Sequence, residues 1–471
     1  MGRLKEQLAE KNEKRERFSD RVWDLLQFWY VLIGNYEGVT PGKSWTRQKR
    51  KWARTGIFFF LFVYMIYVSN HRLYEDGAYA KYHSLVFAIS LLLLAWLSGE
   101  AKLVQSNWNS SIARCYLIFW LLVCVSDFVM DKRFVFLGYL MLLIAGLFFL
   151  VWEQMEHPED ICWDFLHALE LFAAAGAVYN MFFRFKYGGL LYNGYMRAAS
   201  DFGMFSAFVV LAFLIEIYEC QKTGNYGKKL AFCACGAAIS TMNTLLSGKK
   251  IAVLYAVILL AAALLWPIRS WIRTMSGKEK KKLAMYLLLA FFSVCVYYFS
   301  VKYIPWKLQT MVSYEKETFV SRKDPSAIAA LSQTGIEAYQ NVEFDAAEQK
   351  IRIWKAYLKK SSLFGHKQPN LKVLGKRRPA ENYILQILYR YGIFVVIPYV
   401  LMFCMTFLRA VKNLRKKKRE AHSLDIFDAG ALLFWLAVGF FGNLEQPYFQ
   451  PAWIWAYFTV GKHMRAGQSC V

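Results

Sequence analysis

Apolar runs long enough to cross a bilayer recur along this chain, separated mostly by short polar turns, and one long polar segment from about Tyr303 to Asn382 interrupts the pattern. A bilayer core takes about 20 apolar residues per helix. Spans are therefore expected near 54–70, 82–98, 113–129, 134–152, 163–183, 199–217, 229–247, 250–267, 283–302, 391–409, 426–444 and 449–463. The predicted fold is all-α: a multi-pass integral membrane helical bundle of about twelve transmembrane helices, with one large extracytoplasmic loop containing an amphipathic helix. In these terms the chain divides into a basic N-terminal segment (1–53), a membrane domain holding the first nine spans (54–302), the large loop (303–382), and the last three spans with a short tail (383–471). Within the N-terminal segment, Val22 to Ile33 is too short to cross and rich in Trp, Tyr and Leu, as in a helix lying along the interface.

The long loop changes charge along its length. Its first half carries Glu337, Glu343, Asp345 and Glu348, whereas from Lys350 to Arg378 there are Lys or Arg residues at 350, 352, 355, 359, 360, 367, 372, 376, 377 and 378 and no carboxylate. The stretch from Glu343 to Ser361 reads as an amphipathic helix, with Ile351, Trp354 and Leu358 on one stripe and Arg352, Lys355 and Lys359 on the next. Acidic residues at its start and lysines at its end suit the helix dipole, and Gly365 is placed to stop it. Such a helix can float on the outer leaflet and grip a lipid diphosphate, or be a solvated basic face whose side chains snorkel.

Composition narrows the class. With 57% hydrophobic and 18% aromatic residues over 471 positions, the chain is a membrane protein rather than a soluble one. The net charge of +24 is unevenly spread. Basic groups at 43–54, 269–282 and 412–419 fall on one side of a twelve-span layout, which by the positive-inside tendency puts both termini in the cytoplasm and the large loop outside. These runs are topology signals and anionic-lipid contacts rather than nucleic-acid sites. Arg184, Lys186 and Arg197 oppose that tendency in a short outer loop, so another cause holds them there. The nine cysteines are scattered, and Cys233 and Cys235 point about 200° apart on a helix, so neither a disulfide framework nor a metal site is expected. The charged first 20 residues do not read as a cleavable signal peptide.

Four local patterns carry a resemblance: RFKYGGLLYN before the sixth span, LLSGKKIAVLYAVILL across the seventh and eighth, IRIWKAYLKKSSLFGH in the loop, and AENYILQILYRYGIF entering the tenth. In that order and layout the chain resembles the O-antigen polymerases and O-antigen ligases, integral membrane glycosyltransferases that use polyprenyl diphosphate-linked sugars. The resemblance implies a metal-independent, cofactor-free enzyme polymerising lipid-linked oligosaccharide repeat units into a surface polysaccharide, such as O-antigen, capsule or exopolysaccharide. It places the protein in a bacterial cytoplasmic membrane with its active site on the extracytoplasmic face. The donor, a glycan acceptor and the bilayer are the implied partners, with a chain-length regulator or other polysaccharide assembly proteins beside them.

Residue by residue, the resemblance puts the family's outer arginine on Arg184, its Ser-Arg pair on Gly248 and Lys249 or on Lys249 and Lys250, and its loop Arg and Trp on Arg352 and Trp354. The His-Asn pair common in the ligases falls on Glu381 and Asn382, a departure that leans the reading toward the polymerases. Chemistry gives these positions a rationale. The departing diphosphate gathers negative charge that fixed cations can stabilise, and arginine does so with two charge-assisted bonds. Arg184 and Arg352 are the expected catalytic cations, with Lys249, Lys250, Lys355 and Arg378 binding diphosphate or plain headgroups. Glu381 is the candidate base for the acceptor hydroxyl, or a partner in a structural ion pair. Glu445 is a lesser candidate base. Trp354, Asn382 and Tyr383 are the expected sugar contacts, with Tyr389 a further ring, although interfaces collect such rings anyway. His366 reads as a solvated loop residue.

Two rival functions are compatible with the same layout. A ligase would pass a finished glycan to a lipid, protein or wall acceptor. A flippase or other transporter of lipid-linked oligosaccharide would carry charged residues at the membrane midplane, whereas this chain concentrates its charge in one outer loop.

Overall fold

The structure, a computed structural model, describes residues 47–71, most of 85–98, 110–130, 158–184, 191–263 apart from 197, 198, 225 and 226, 276–305, 350–416 apart from 369, 374, 375, 379 and 381, 423–441 and 451–465. These are mostly helical. In chain order the helices are α1 (Arg47–His71), α2 (Ser111–Val129), α3 (Pro158–Phe183), α4 (Ala199–Lys222), α5 (Lys228–Ser247), α6 (Lys250–Ala263) and α7 (Gly277–Tyr298). A π-helical turn, Phe299–Tyr303, extends α7. A two-stranded antiparallel hairpin follows, β1 (Leu371–Val373) with β2 (Lys376–Arg378), Leu371 opposite Arg378. Then come α8 (Tyr383–Tyr391), α9 (Ile393–Lys416), α10 (Ser423–Phe441) and α11 (Pro451–Arg465). Residues 350–359 are a further helix, and 85–98 are helical where described.

Among the described residues, seven helices are long and apolar enough to cross a membrane: those of α1, α2, α3, α4, α5, α7 and α9. Helical segments also stand where the sequence predicts the second, eighth, eleventh and twelfth spans, while 134–152 and the 22–33 segment lie outside the described residues.

Sequence explains the ends of these elements. Ser110 caps α2 by accepting from the Ala113 amide, and Ser276 with Glu279 forms a reciprocal capping box at α7. Gly248 closes α5 in the left-handed conformation that a side chain would strain. Helices in lipid gain little from burying apolar surface against each other, so close packing has to hold them. Gly203 lets α4 approach Ser247 and Lys249, and Gly236 lets α5 approach Phe213. The core between α1, α3, α10 and α11 is aromatic: Phe165 meets Phe58, Phe62, Trp455 and Phe458, and Trp455 meets Phe427 edge-on at 4.6 Å. Each such pair is worth about 0.5–1.5 kcal/mol beyond its buried area.

Two sets of contacts define the ends of the bundle. At one, Arg47 makes a fork to Asp160, and the buried Arg54 bonds Asp164 at 2.6 Å and the Leu97 carbonyl at 3.0 Å. At the other, Asn70 donates to the Tyr195 carbonyl at 2.8 Å and Ser126 to the Phe364 carbonyl at 2.7 Å. Helix direction therefore places the 350–378 segment at the end opposite Arg47.

Candidate functional site

Residues 350–391 form a small module at that end. Ile353 and Tyr357 of the loop helix are buried against Ala380, Leu385 and Tyr389, with Trp354, Leu371, Val373 and Leu388 packed around them. Trp354 Nε1 donates to the Ala380 carbonyl at 2.8 Å, and the Tyr357 hydroxyl accepts from the Leu371 amide at 3.0 Å. Gln386, fully buried, accepts from the Ala380 amide at 2.7 Å and donates to Asn370 Oδ1 at 3.1 Å. One glutamine thus joins the hairpin's entry, its exit and α8.

This packing corrects the expected apolar stripe. Ile353, Trp354 and Tyr357 face the module, while Ile351 and Leu358 are 52% and 54% exposed. The apolar arc of the helix is broader than one stripe, running from position 353 round to 351, and the hairpin with α8 takes one half of it. The other half lies beside Lys355, Lys359 and Arg352, all exposed.

The expectation that Gly365 stops the loop helix is also corrected, because the helix already ends at Lys359. Gly365 and Gly392 instead have positive φ, of 81° and 95°, and let two chain segments cross backbone to backbone. A side chain on Gly365 would strike the Arg390 carbonyl and one on Gly392 the Leu363 carbonyl. Hydrogen bonds from Ile393 N to Ser362 O and from His366 N to Arg390 O close the crossing. His366 is not the solvated residue that its turn suggests: it is half-buried, stacks on Tyr389 at 4.4 Å and lies 2.5 Å from the Lys360 carbonyl through Nε2. The carbonyl can only accept, so that nitrogen carries a proton.

The expected sugar contacts are built into the fold. Asn382 is 5% exposed and its Oδ1 caps α8 by accepting from the Leu385 amide at 3.0 Å. Tyr383 is buried against Tyr399 and Trp435, and Tyr389 packs edge-on against Tyr357. Trp354 is half-buried and hydrogen-bonded as above. Glu381, Glu445 and the Arg378 side chain lie outside the described residues; the backbone of Arg378 pairs with Leu371.

Arg184 and the lysine turn are joined by a different set of helices. Arg184 is exposed at the end of α3, and its carbonyl accepts from the Tyr192 hydroxyl at 2.9 Å. The Tyr192 amide in turn donates to the Leu246 carbonyl at 2.9 Å, one turn before Lys249. One buried tyrosine thus brings the Arg184 turn beside the half-exposed Lys249 and exposed Lys250. Burial raises the Tyr192 phenol well above its ordinary range, helped by Tyr297 and opposed by Arg184, so it remains a donor. Below this ledge, Asn180 donates to the Tyr297 hydroxyl at 3.1 Å, which donates to Asn243 Oδ1 at 2.7 Å. Sequence reasoning missed this triad, although asparagine in the apolar runs VYNMFF and TMNTLL was a signal.

A second polar cluster lies toward the Arg54 end. Glu216 of α4, fully buried, meets Lys229 at 2.6 Å and His167 at 3.3 Å. Glu170, 3% exposed at the middle of α3, stands three residues beyond His167 on the same helix. Weighing charge by loops passes over His167, Glu170 and Glu216, since each stands inside an apolar run.

Comparison of the chain with protein-family models, with curated proteins and with solved structures gave no match.

Proposed function

We propose that the protein is a membrane glycosyltransferase that joins polyprenyl diphosphate-linked oligosaccharide units into a surface polysaccharide at the loop end of the bundle, taken as the extracytoplasmic face of a bacterial cytoplasmic membrane with about twelve spans. The supporting observation is the ledge on which Tyr192 fastens the Arg184 turn beside Lys249 and Lys250. Arg184 holds the leaving diphosphate there with lysine support, and Arg352 with Lys355 adds charge from the loop helix. Glu381, next to the α8 cap, takes the acceptor proton.

The test is conversion of a purified lipid-linked repeat unit. A ladder of lengthening products is expected from the unaltered protein, and its sharp reduction at equal time and enzyme in Arg184→Ala and Arg352→Ala with the fold intact. Full-length polymer from both variants would contradict a catalytic part for either arginine. A single transfer to a lipid, protein or wall acceptor without a ladder would identify a ligase.

One observation favours the transporter alternative. The buried Glu170 and Glu216, with the partly exposed Lys229 and His167 at Glu216, supply ionisable groups within the spans of the kind coupled transporters use. Movement of labelled lipid-linked oligosaccharide across sealed vesicles without a covalent product would establish that reading.

A further inference from the structure

The outward apolar surface of two spans leads to the loop segment. On α2, Leu121, Val125 and Phe128 stand exposed at helical spacing, Phe128 to 75%, and on α9 Ile393, Ile397 and Leu401 do the same. Stripes of this kind, on helices long and apolar enough to span, belong against hydrocarbon. The two helices pack through Phe119 and Tyr399, whose ring centroids are 5.3 Å apart. At the loop end both stripes reach one residue, Phe364: its carbonyl accepts from Ser126 of α2, two residues before Phe128, and its ring centroid lies 6.0 Å from that of Phe394. Phe364 and its neighbour Leu363 are themselves exposed. The apolar surface of the bundle thus continues onto the loop segment.

The loop helix, 350–359, comes just before these two residues, and its uncovered half has the make-up of an interfacial helix. At about 100° per residue, Ile351, Lys355 and Leu358 fall within about 60° of one another, with Lys359 and Arg352 on the next 60°. The opposite side is taken, since Ile353, Trp354 and Tyr357 pack on the hairpin and α8. An exposed apolar strip beside lysines marks a membrane-surface site. From Lys350 to Arg378 the sequence holds no carboxylate, so the face has one sign of charge. A second copy of the chain would bring the same positive face against it, and like charges oppose such pairing. Anionic headgroups complement it.

We propose that the loop helix is docked on the bilayer leaflet at the loop end, with Ile351, Leu358, Leu363 and Phe364 seated at the boundary of headgroups and acyl chains and with Lys355 and Lys359 on the phosphates of anionic phospholipids. Helices of this type sink about 5–10 Å into that boundary. Phe364, tied to α2 and α9, sets the depth. The docking holds whichever reaction the loop end performs.

The test uses the full-length protein in nanodiscs of phosphatidylcholine, alone or mixed with phosphatidylglycerol, with no lipid-linked donor present. A fluorophore is attached through Leu358→Cys and, separately, Ile351→Cys, both at exposed positions whose change leaves the module's core intact. Lys360→Cys, exposed and about 200° round from Leu358, is the water-facing control. Unaltered protein treated with the same reagent supplies the background of the native cysteines. Labels at 351 and 358 are expected to be quenched by phospholipid carrying a nitroxide high on its acyl chain and protected from aqueous iodide, and the label at 360 the reverse. In phosphatidylglycerol discs, adding Lys359→Gln to Leu358→Cys is expected to lower the ratio of lipid-quenched to iodide-quenched label about 5-fold. Iodide quenching at 351 and 358 as strong as at 360 overturns the proposal. Protection from both quenchers overturns it too, because protein then covers the face. So does a ratio indifferent to phosphatidylglycerol and to Lys359.

Discussion

The two ends of the bundle use charge in opposite ways. At the Arg47 end four cations are spent on carboxylates: Arg47 on Asp160, Arg54 on Asp164, Lys229 on Glu216, Lys462 on Asp425 and Asp428. At the loop end Arg184, Arg352, Lys355 and Lys359 are exposed, and hydrogen bonds fix the chain beneath them: the Tyr192 hydroxyl to Arg184 O, Trp354 Nε1 to Ala380 O, and the Ala380 amide to Gln386 Oε1. Charge committed to a buried partner fixes helices. Charge on exposed side chains above a hydrogen-bonded backbone leaves helix packing to other contacts.

The sharpest break in this comparison comes from the buried pair. Arg54→Ala leaves Asp164 buried and without its cation, which costs about 3–5 kcal/mol. A large fall in melting temperature in detergent is expected, whereas Arg184→Ala or Lys355→Ala should leave melting unchanged. Equal melting of Arg54→Ala and Lys355→Ala would erase the distinction between the ends.

For function the order reverses. A charge-assisted bond to phosphate contributes about 1.5–3 kcal/mol, so Arg184→Ala or Arg352→Ala should lower kcat/KM for lipid-linked donor about 10- to 150-fold. Arg47→Ala, whose ion pair is exposed, should leave that ratio unaltered. Raising salt sharpens the same contrast. Donor binding at the exposed cations should weaken as the screening length falls to about 3 Å at 1 M, while the shielded Arg54 pair keeps its contribution to melting.

Smaller effects probe the module itself. Trp354→Phe keeps the ring but deletes the donor to the Ala380 carbonyl, a loss of about 0.5–1.5 kcal/mol, read as increased proteolysis of the 350–378 segment. Ser276→Ala at the α7 cap costs about 0.5–2 kcal/mol. Located toward the other end, it should leave proteolysis of the loop segment unchanged.

The helices are legible because their apolar runs are long: α2, α5 and α9 begin within two residues of the positions read from sequence. The loop helix is legible as an element but not in its orientation. Periodicity alone cannot say which half of an arc spanning Ile351, Ile353, Trp354, Tyr357 and Leu358 a neighbour will cover, and the β1–β2 hairpin that covers it is only six residues of pairing. Arg184 and Lys249 can be named separately from sequence, and only Tyr192 makes them neighbours. The buried Glu170 and Glu216 escape notice because each stands in an apolar run, and the contact of Glu216 with His167 exists only once α3 and α4 pack.

The crossing of Gly365 over Arg390 and of Gly392 over Leu363 has a mechanical outcome. It rivets the loop segment to the first turns of α9, where Phe364 also meets Phe394. Four residues further along α9 stands Pro398, whose ring removes a backbone donor and leaves the Phe394 carbonyl without its usual mate. The helix is softest there. A bend of α9 at that point would therefore shift the loop segment and the first turn of α9 together, as one piece.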